Sequence, residues 1–182
     1  MVETAKYYQE KNITVLHKIY LLIIFVSLSA CSNAQNNNQS VNRNRVKKMK
    51  PKINKPDEEW EKVLTPQQFY ILRKKGTDLP GTGKYTYHFD DGIYRCAGCG
   101  APLFHSDNKY ESNCGWPSFD NAIEGAIIFQ SDYSHNMVRT EIICANCGGH
   151  LGHIFDDGPA ETTGKRYCVN STSIEFEPKK EK

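Results

Sequence analysis

Cys144-Ala145-Asn146-Cys147-Gly148-Gly149 decides the fold when it is read with its counterpart, Cys96-Ala97-Gly98-Cys99-Gly100. Each is a CxxC trailed by glycine, and residues 100–143 lie between them. Small residues let such a turn aim its backbone amides at two thiolates, and two turns together supply the four ligands of a closed tetrahedral site. The separation exceeds that of a compact zinc ribbon. The strands between must therefore loop out and return, so that a metal staples two hairpins. Structural Zn2+ is the expected occupant. Soft thiolates also suit an iron tetrathiolate, and two CxxC disulfides are open to an exported chain, so both alternatives stand. With a metal bound, the four cysteines hold the fold and do no chemistry.

The chain has seven cysteines, so three remain. Cys168 sits in Gly164-Lys165-Arg166-Tyr167-Cys168-Val169-Asn170-Ser171, which reads as a short strand after the Gly158-Pro159 and Thr163-Gly164 breakers. A thiol beside Arg166, in a chain with His150 and His153, is a candidate nucleophile because nearby positive charge favours the reactive thiolate. A buried structural cysteine is the plainer alternative. Cys114 lies in Cys114-Gly115-Trp116-Pro117-Ser118-Phe119, a rigid turn suited to presenting an indole at the surface. A second spare thiol on a loop suggests a resolving partner for an oxidised nucleophile. Against this, Trp116 would only cap the core and Cys114 would be incidental.

The remaining signals set the frame. A chain of 182 residues fits one domain with appendages. Its 10 tyrosines and 8 phenylalanines, with glycine through the second half, point to a β-rich fold. A net charge of +2 gives no nucleic-acid footprint. Thr65-Pro66-Gln67-Gln68 starts a helix, with a capping threonine, proline at the first helical position and glutamine three residues after the cap. Lys74-Lys75-Gly76 should end it with cations and a C-cap glycine. Tyr85, Tyr87 and Phe89 alternate up to Asp90-Asp91-Gly92, which predicts a hairpin returning through Ile93-Tyr94-Arg95. Further strands are expected over 126–129, 138–143, 151–155, 166–170 and 173–176.

The N-terminal third has another character. Residues 1–30 read as a signal peptide of the lipoprotein type: Lys6, Lys11 and Lys18 precede the apolar run Ile19 to Val26, and Leu28-Ser29-Ala30-Cys31 resembles a lipobox. Cys31 would then carry the lipid. A plain secretory signal or an uncleaved anchor are the alternatives. Residues 31–56 are rich in Asn, Gln and then Lys, with little to bury, and read as a disordered tether. The folded domain is expected over 57–178, followed by a charged tail at 179–182.

Taken in order, Cys96-x-x-Cys99, Cys114-Gly115-Trp116-Pro117-Ser118-Phe119, Cys144-x-x-Cys147, His150-Leu151-Gly152-His153-Ile154-Phe155 and Arg166-Tyr167-Cys168-Val169-Asn170-Ser171 resemble the B type of the methionine-R-sulfoxide reductase family. The resemblance covers about residues 57–178. It implies a mainly β fold, two antiparallel sheets with short N-terminal helices. It implies that Cys168 attacks the sulfur of an R-epimer methionine sulfoxide and is left as a sulfenic acid. Cys114 then resolves this as a Cys114–Cys168 disulfide, which thioredoxin or a thioredoxin-like protein reduces. Trp116 would hold the substrate methyl against its ring, Phe155 would line the methyl pocket, and His150, His153 and Asn170 would bind and protonate the oxygen. Arg166 would keep Cys168 ionisable, or else contribute nothing. A monomer on the outer side of a bacterial membrane, repairing oxidised proteins or peptides, completes this expectation.

Two other classes compete. A non-catalytic zinc-knuckle binding module accounts for four cysteines but gives Cys114, Trp116 and Cys168 no joint role. An iron tetrathiolate electron carrier would be coloured. A zinc deaminase is disfavoured, because its His-x-Glu with Pro-Cys-x-x-Cys signature is missing.

Overall fold

Thr65, Pro66 and Gln68 start a helix as their order predicts. In the computed structural model, which describes residues 49–180, α1 spans Asp57–Glu61 and α2 spans Pro66–Lys74. The Gln68 amide donates to Thr65 Oγ1, and the Thr65 amide donates back to Gln68 Oε1. Two orphan donors of the first turn are thereby satisfied. The other end differs from expectation. The left-handed residue is Lys75, with φ of 57°, and not Gly76. A Cβ at Gly76 would fall 2.2 Å from Cε1 of the exposed Tyr70 ring, which would have to swing away. The left-handed cap aims Lys75 inward, and its Nζ reaches Glu141 Oε2 at 2.6 Å.

Among the described residues nine strands follow: β1 (Gly92–Cys96), β2 (Pro102–His105), β3 (Lys109–Tyr110), β4 (Ser118–Phe119), β5 (Ile127–Asp132), β6 (Arg139–Cys144), β7 (His150–Phe155), β8 (Arg166–Val169) and β9 (Ile174–Pro178). They form two sheets, ordered β2-β1-β9 and β3-β4-β8-β7-β6-β5, with every pairing antiparallel. The expected class, mainly β with short N-terminal helices, is what forms.

One hairpin is corrected. Residues 84–87 form a turn, in which the Thr86 amide bonds the Gly83 carbonyl, instead of a strand returning into β1. Both edges of β1 are already taken by β2 and β9, so no ladder is open to Tyr85–Phe89. Tyr85 alone turns inward and meets Tyr94 edge-on, while Tyr87 and Phe89 are exposed. Their alternation was a false strand signal.

The core lies between the sheets and α2, built on Leu72, Tyr94, Phe104, Phe119, Leu151 and Val169. Phe104 and Phe119 stack, with ring centroids 4.3 Å apart, and join the smaller sheet to the larger. The folded unit also starts before Asp57, where composition had put the end of the tether. The Lys52 and Ile53 amides bond the Ala145 and Asn146 carbonyls at 3.3 and 2.7 Å, supplying donors that the second knuckle lacks internally. The signal segment, Cys31, the tether up to residue 48 and residues 181–182 lie outside the described residues. Among the described residues, no helix is long and apolar enough to cross a membrane.

Candidate active site

The pairing register of the larger sheet assembles the site. Residues directly opposite each other in an antiparallel ladder project to the same face. Ser118 pairs with Cys168, Cys168 with His153, and His153 with Glu141, so one row carries a thiol, an imidazole and a carboxylate. Two positions along, Phe155 pairs with Arg166, and Arg139 with Asp132. The opposite face takes Leu151, Tyr167 and Val169 into the core. Gly152 is the spacer: a Cβ there would fall 2.0 Å from the Cys168 carbonyl oxygen, so only glycine lets β7 lie this close to β8.

Cys114 comes to this row from the turn before β4. Its Sγ lies 3.8 Å from Cys168 Sγ, accepts from the Ser112 hydroxyl at 3.0 Å and contacts Ser118 Oγ at 3.4 Å. The two thiols titrate as one system. The hydrogen bond from Cys168, with those from Ser112 and Ser118, outweighs burial and brings Cys114 down to about 4. Donation to Cys114 and burial push Cys168 up, and Arg166 opposes this without reversing it. The charge of the pair therefore rests on Cys114. Arg166 is occupied elsewhere: its Nε and Nη2 grip the two oxygens of Asp157, each at 2.9 Å, and its guanidinium lies 4.4 Å from the Phe155 ring centre.

Cys168, and not Cys114, opens to a pocket of about 120 Å³, lined among others by Trp116, Phe155, His153, Arg139 and Asn170. This is far below the size of a drug-sized ligand site, and it suits the end of one side chain. A larger groove, about 410 Å³, lies elsewhere between β1, β2 and the end of β9. It holds no thiol, and none of its lining side chains is buried.

The pocket walls are held by residues that motif reading missed. The Trp116 Nε1–H donates to the Asp78 carbonyl at 2.9 Å, which sets the indole plane. The Asp78 amide donates to Asn170 Oδ1, and the Asp78 carboxylate accepts from the Thr172 amide and hydroxyl. One residue of the strap after α2 thus ties the tryptophan turn to the chain after β8. Asn170 has its oxygen on Asp78, and its Nδ2 donates to the Leu151 carbonyl, leaving one amide hydrogen.

His153 Nε2 lies 2.7 Å from Asp132 Oδ2, which also accepts from Arg139 Nη2 at 2.7 Å. The Ser134 amide, then His153 and Arg139, hold the Asp132 carboxyl well below the usual carboxylate range. An ionised carboxylate only accepts, so Nε2 carries a proton and Nδ1 is left to the site. Burial lowers the His153 pKa, against the hydrogen bond it donates to Asp132. His150 does not reach the pocket. It is buried behind His153, with Nδ1 2.7 Å from Glu141 Oε1 and ring centroids 5.6 Å apart. Burial would raise Glu141, but the bonds from His150 and Lys75 hold it down.

Arg139 and Glu141 went unread, although charges alternating within the expected 138–143 strand could have marked them. Asp132, Asp78 and Thr77, which also lines the pocket, carry no local signal.

The four knuckle cysteines meet away from this pocket, and none of them lines it. Cys96 closes β1 and Cys144 closes β6. Each turn is clasped identically, the Gly100 amide on the Cys96 carbonyl and the Gly148 amide on the Cys144 carbonyl, both at 2.8 Å. Both glycines have φ near +70°, where other residues are strained: 71° at Gly100 and 74° at Gly148. The four sulfurs lie within 4.8 Å of one another, with Cys96–Cys147 at 3.6 Å and Cys99–Cys144 at 3.7 Å. Metal–sulfur bonds of about 2.3 Å in a tetrahedron place sulfurs ~3.8 Å apart, so the cage fits a metal ion. Leu72 of α2 covers the turns at Gly98 and Gly149, and Arg73 Nη1 donates to the Cys147 carbonyl.

A pocket thiol backed by a charged second thiol, on a β-domain closed by four other thiols, defines a thiol redox protein. Residues 64–178 match the SelR domain. The chain is 54% identical over 129 residues to the peptide methionine sulfoxide reductase MsrB of Agrobacterium fabrum, covering 70% of this chain and 95% of that protein. It is 55% identical over 130 residues to the protein of the same name in Leptospira interrogans, covering 71% and 98%. With that of Chromohalobacter salexigens it shares 49% over 131 residues, covering 71% and 98%. The chain belongs to the peptide methionine sulfoxide reductase B family.

Proposed function

We propose that this protein reduces the R epimer of methionine sulfoxide in peptides or proteins to methionine, repairing oxidised chains. The observation that carries the reading is the pocket: Cys168 faces it together with Trp116 and Phe155, and Cys114 waits 3.8 Å behind. A non-catalytic knuckle would need neither.

Cys168 is the nucleophile and Cys114 the resolving thiol. The substrate methyl lies on the Trp116 face beside Phe155, because a methyl on a polarised sulfur is electron-poor and the ring face is electron-rich. Cys168 first passes its proton to the Cys114 thiolate 3.8 Å away; its Sγ then bonds to the sulfoxide sulfur, the sulfur–oxygen bond breaks as the oxygen takes a proton, and the hydroxyl passes to Cys168 Sγ as the transient sulfur–sulfur bond breaks. Methionine and a Cys168 sulfenic acid result, so the substrate gains the two electrons that the thiol loses. His153, as the imidazolium held by Asp132, donates through Nδ1 to the oxygen, with the free Asn170 amide hydrogen beside it. Cys114, now carrying the proton from Cys168, then attacks Cys168 Sγ, and the sulfenic hydroxyl leaves as water with that proton. Closing from 3.8 Å to the ~2.05 Å of a disulfide needs a shift of under about 2 Å. Thioredoxin or a thioredoxin-like dithiol completes the cycle by exchange. His150 acts indirectly, packed behind His153.

Zn2+ held by Cys96, Cys99, Cys144 and Cys147 is structural. The leader and Cys31 support export and lipid attachment at the outer side of a bacterial membrane, and mass analysis of the Cys31 peptide tests this.

The deciding experiment follows loss of the R epimer from a methionine sulfoxide peptide, with dithiothreitol or with thioredoxin. Cys168→Ser should be inactive with both. Cys114→Ser should work with dithiothreitol alone. Activity in Cys168→Ser would remove the nucleophile assignment.

A further inference from the structure

Charge is divided along this chain far more sharply than its net of +2 suggests. Residues 57–182 carry thirteen Lys and Arg against nineteen Asp and Glu, a net of −6. Residues 43–55 carry seven cations and no acid. A basic run beside an acidic domain is the pattern of an interaction segment, because a solvated spacer needs no single sign.

The structure fixes where the C-terminal part of that run lies. The Lys52 and Ile53 amides bond the second knuckle, and Pro51 lies over Gly148, where a Cβ would fall 2.8 Å from Pro51 Cγ. Clamped in this way, the segment from Lys50 to Lys55 borders a groove of about 460 Å³ that Arg73 and Lys75, from the end of α2, line as well. Lys74 stands between these two in sequence. Two carboxylates face the cluster: Asp57 takes Arg73 and Lys74, and the buried Glu141 takes Lys75. Lys50, Lys52 and Lys55 are exposed, and among the described residues they form no ion pair. Six cations thus meet two carboxylates, which leaves an open, positively charged face on a domain that is acidic as a whole.

We propose that the segment Lys50–Lys55 and the end of α2 form a docking face for the phosphate headgroups of an anionic phospholipid surface. Charge and reach favour this occupant. A sheet of phosphates meets one face of a domain, so the acidic remainder need not approach it, whereas a long nucleic-acid strand would run onto it. No aromatic side chain lines the groove, so bases would find nothing to stack on. Lys50 follows Cys31 by nineteen residues, at most ~65 Å of extended chain, so a membrane holding the leader lies within reach. The face acts independently of the sulfoxide chemistry, since the groove and the Cys168 pocket share no lining residue. Each lysine near an anionic surface raises partitioning roughly fivefold, so the three unpaired lysines together contribute about 100-fold.

The test uses the full chain and two kinds of vesicle, phosphatidylcholine alone and phosphatidylcholine with about one-third phosphatidylglycerol. The apolar leader acts on both, so the ratio of the two partition constants reports the charged face. We expect a ratio above about 100 at low salt, falling at least about tenfold in 0.5 M sodium chloride. Lys50→Gln/Lys52→Gln/Lys55→Gln should lower the ratio about 100-fold with thermal melting unchanged, and Lys50→Arg/Lys52→Arg/Lys55→Arg should keep it. The matched control, Lys84→Gln/Lys165→Gln/Lys179→Gln, removes the same charge from exposed positions elsewhere and should lower it no more than about threefold. A ratio near one for the unaltered chain, a loss in the arginine variant, or equal losses in the two glutamine variants overturns the proposal. Displacement from vesicles by millimolar inorganic phosphate at matched ionic strength would make the face a free-phosphate site, and tighter binding to a single-stranded oligonucleotide would make it a nucleic-acid site. Either result also overturns it.

Discussion

The domain has two clusters of thiols with nearly the same sulfur spacing and opposite design. In the knuckles the closest sulfurs are 3.6 and 3.7 Å apart, and in the Cys114–Cys168 pair 3.8 Å. Distance therefore does not separate structure from chemistry. What separates them is the backbone beneath and the space above. The knuckle thiols sit on two identical clasped turns at the ends of β1 and β6, one from each sheet, and Leu72 lies over them. The second pair joins a strand to a loop, its hydroxyl donors stabilise one charge, and only one of its sulfurs meets a pocket. The first arrangement resists movement. The second needs a small one.

Exchanging a cysteine in each cluster should give opposite phenotypes. Cys144→Ser should cost the fold more than about 4 kcal/mol, seen as a collapsed melting transition with loss of bound metal. Cys168→Ser should leave melting nearly unchanged and lower turnover by at least about 10³-fold. If Cys144→Ser folds normally, the contrast fails. Next in size is Asp132→Asn. An amide cannot hold the imidazolium as the carboxylate does, so kcat/KM should drop about 100-fold with little thermal change. Its loss should deepen with rising pH, since the imidazolium is then populated only below an already lowered His153 pKa.

Thiol charge gives a finer test. Iodoacetamide labelling of Cys114 should be complete in its pH response by about pH 6, because its thiolate forms near pH 4. Cys168→Ala removes the main donor, so the inflection should move upward and the rate at pH 6 fall about tenfold. A flat, unchanged profile would mean that the serines alone hold the charge. The smallest effect is expected at Asp78→Ala, which keeps the backbone bonds to Trp116 and Asn170 but strands the Thr172 amide. It should cost ~1–3 kcal/mol of stability and raise KM a few-fold. In a Trp60→Phe background, the Trp116 emission should shift with it.

Much of this was legible residue by residue. The CxxC spacing announced a cage because two small-residue turns with glycines at the same offset have few other uses. Thr65, Pro66 and Gln68 announced a helix start because the cap is made of neighbours. The false strand at Tyr85–Phe89 marks the limit of such reading: period-two alternation describes what a segment could do, and the free edge it needed was occupied by β9, far along the chain. The C-cap erred for a related reason. Glycine is the usual left-handed residue, but Lys75 takes that conformation while its Nζ pairs with the buried Glu141.

By itself the sequence determined the family, the β class, the four-thiol cage and the two thiols left over from it, since these depend on residue types at short fixed spacings. Only the tertiary structure decided which thiol faces the pocket and which bears the charge, that His150 stands behind His153, and that Asp132, Arg139 and Asp78 hold the walls. Those roles arise from ladder register and from loops meeting across the sheet. A pKa or a pocket wall depends on atoms close in space, and distance along the chain does not encode that.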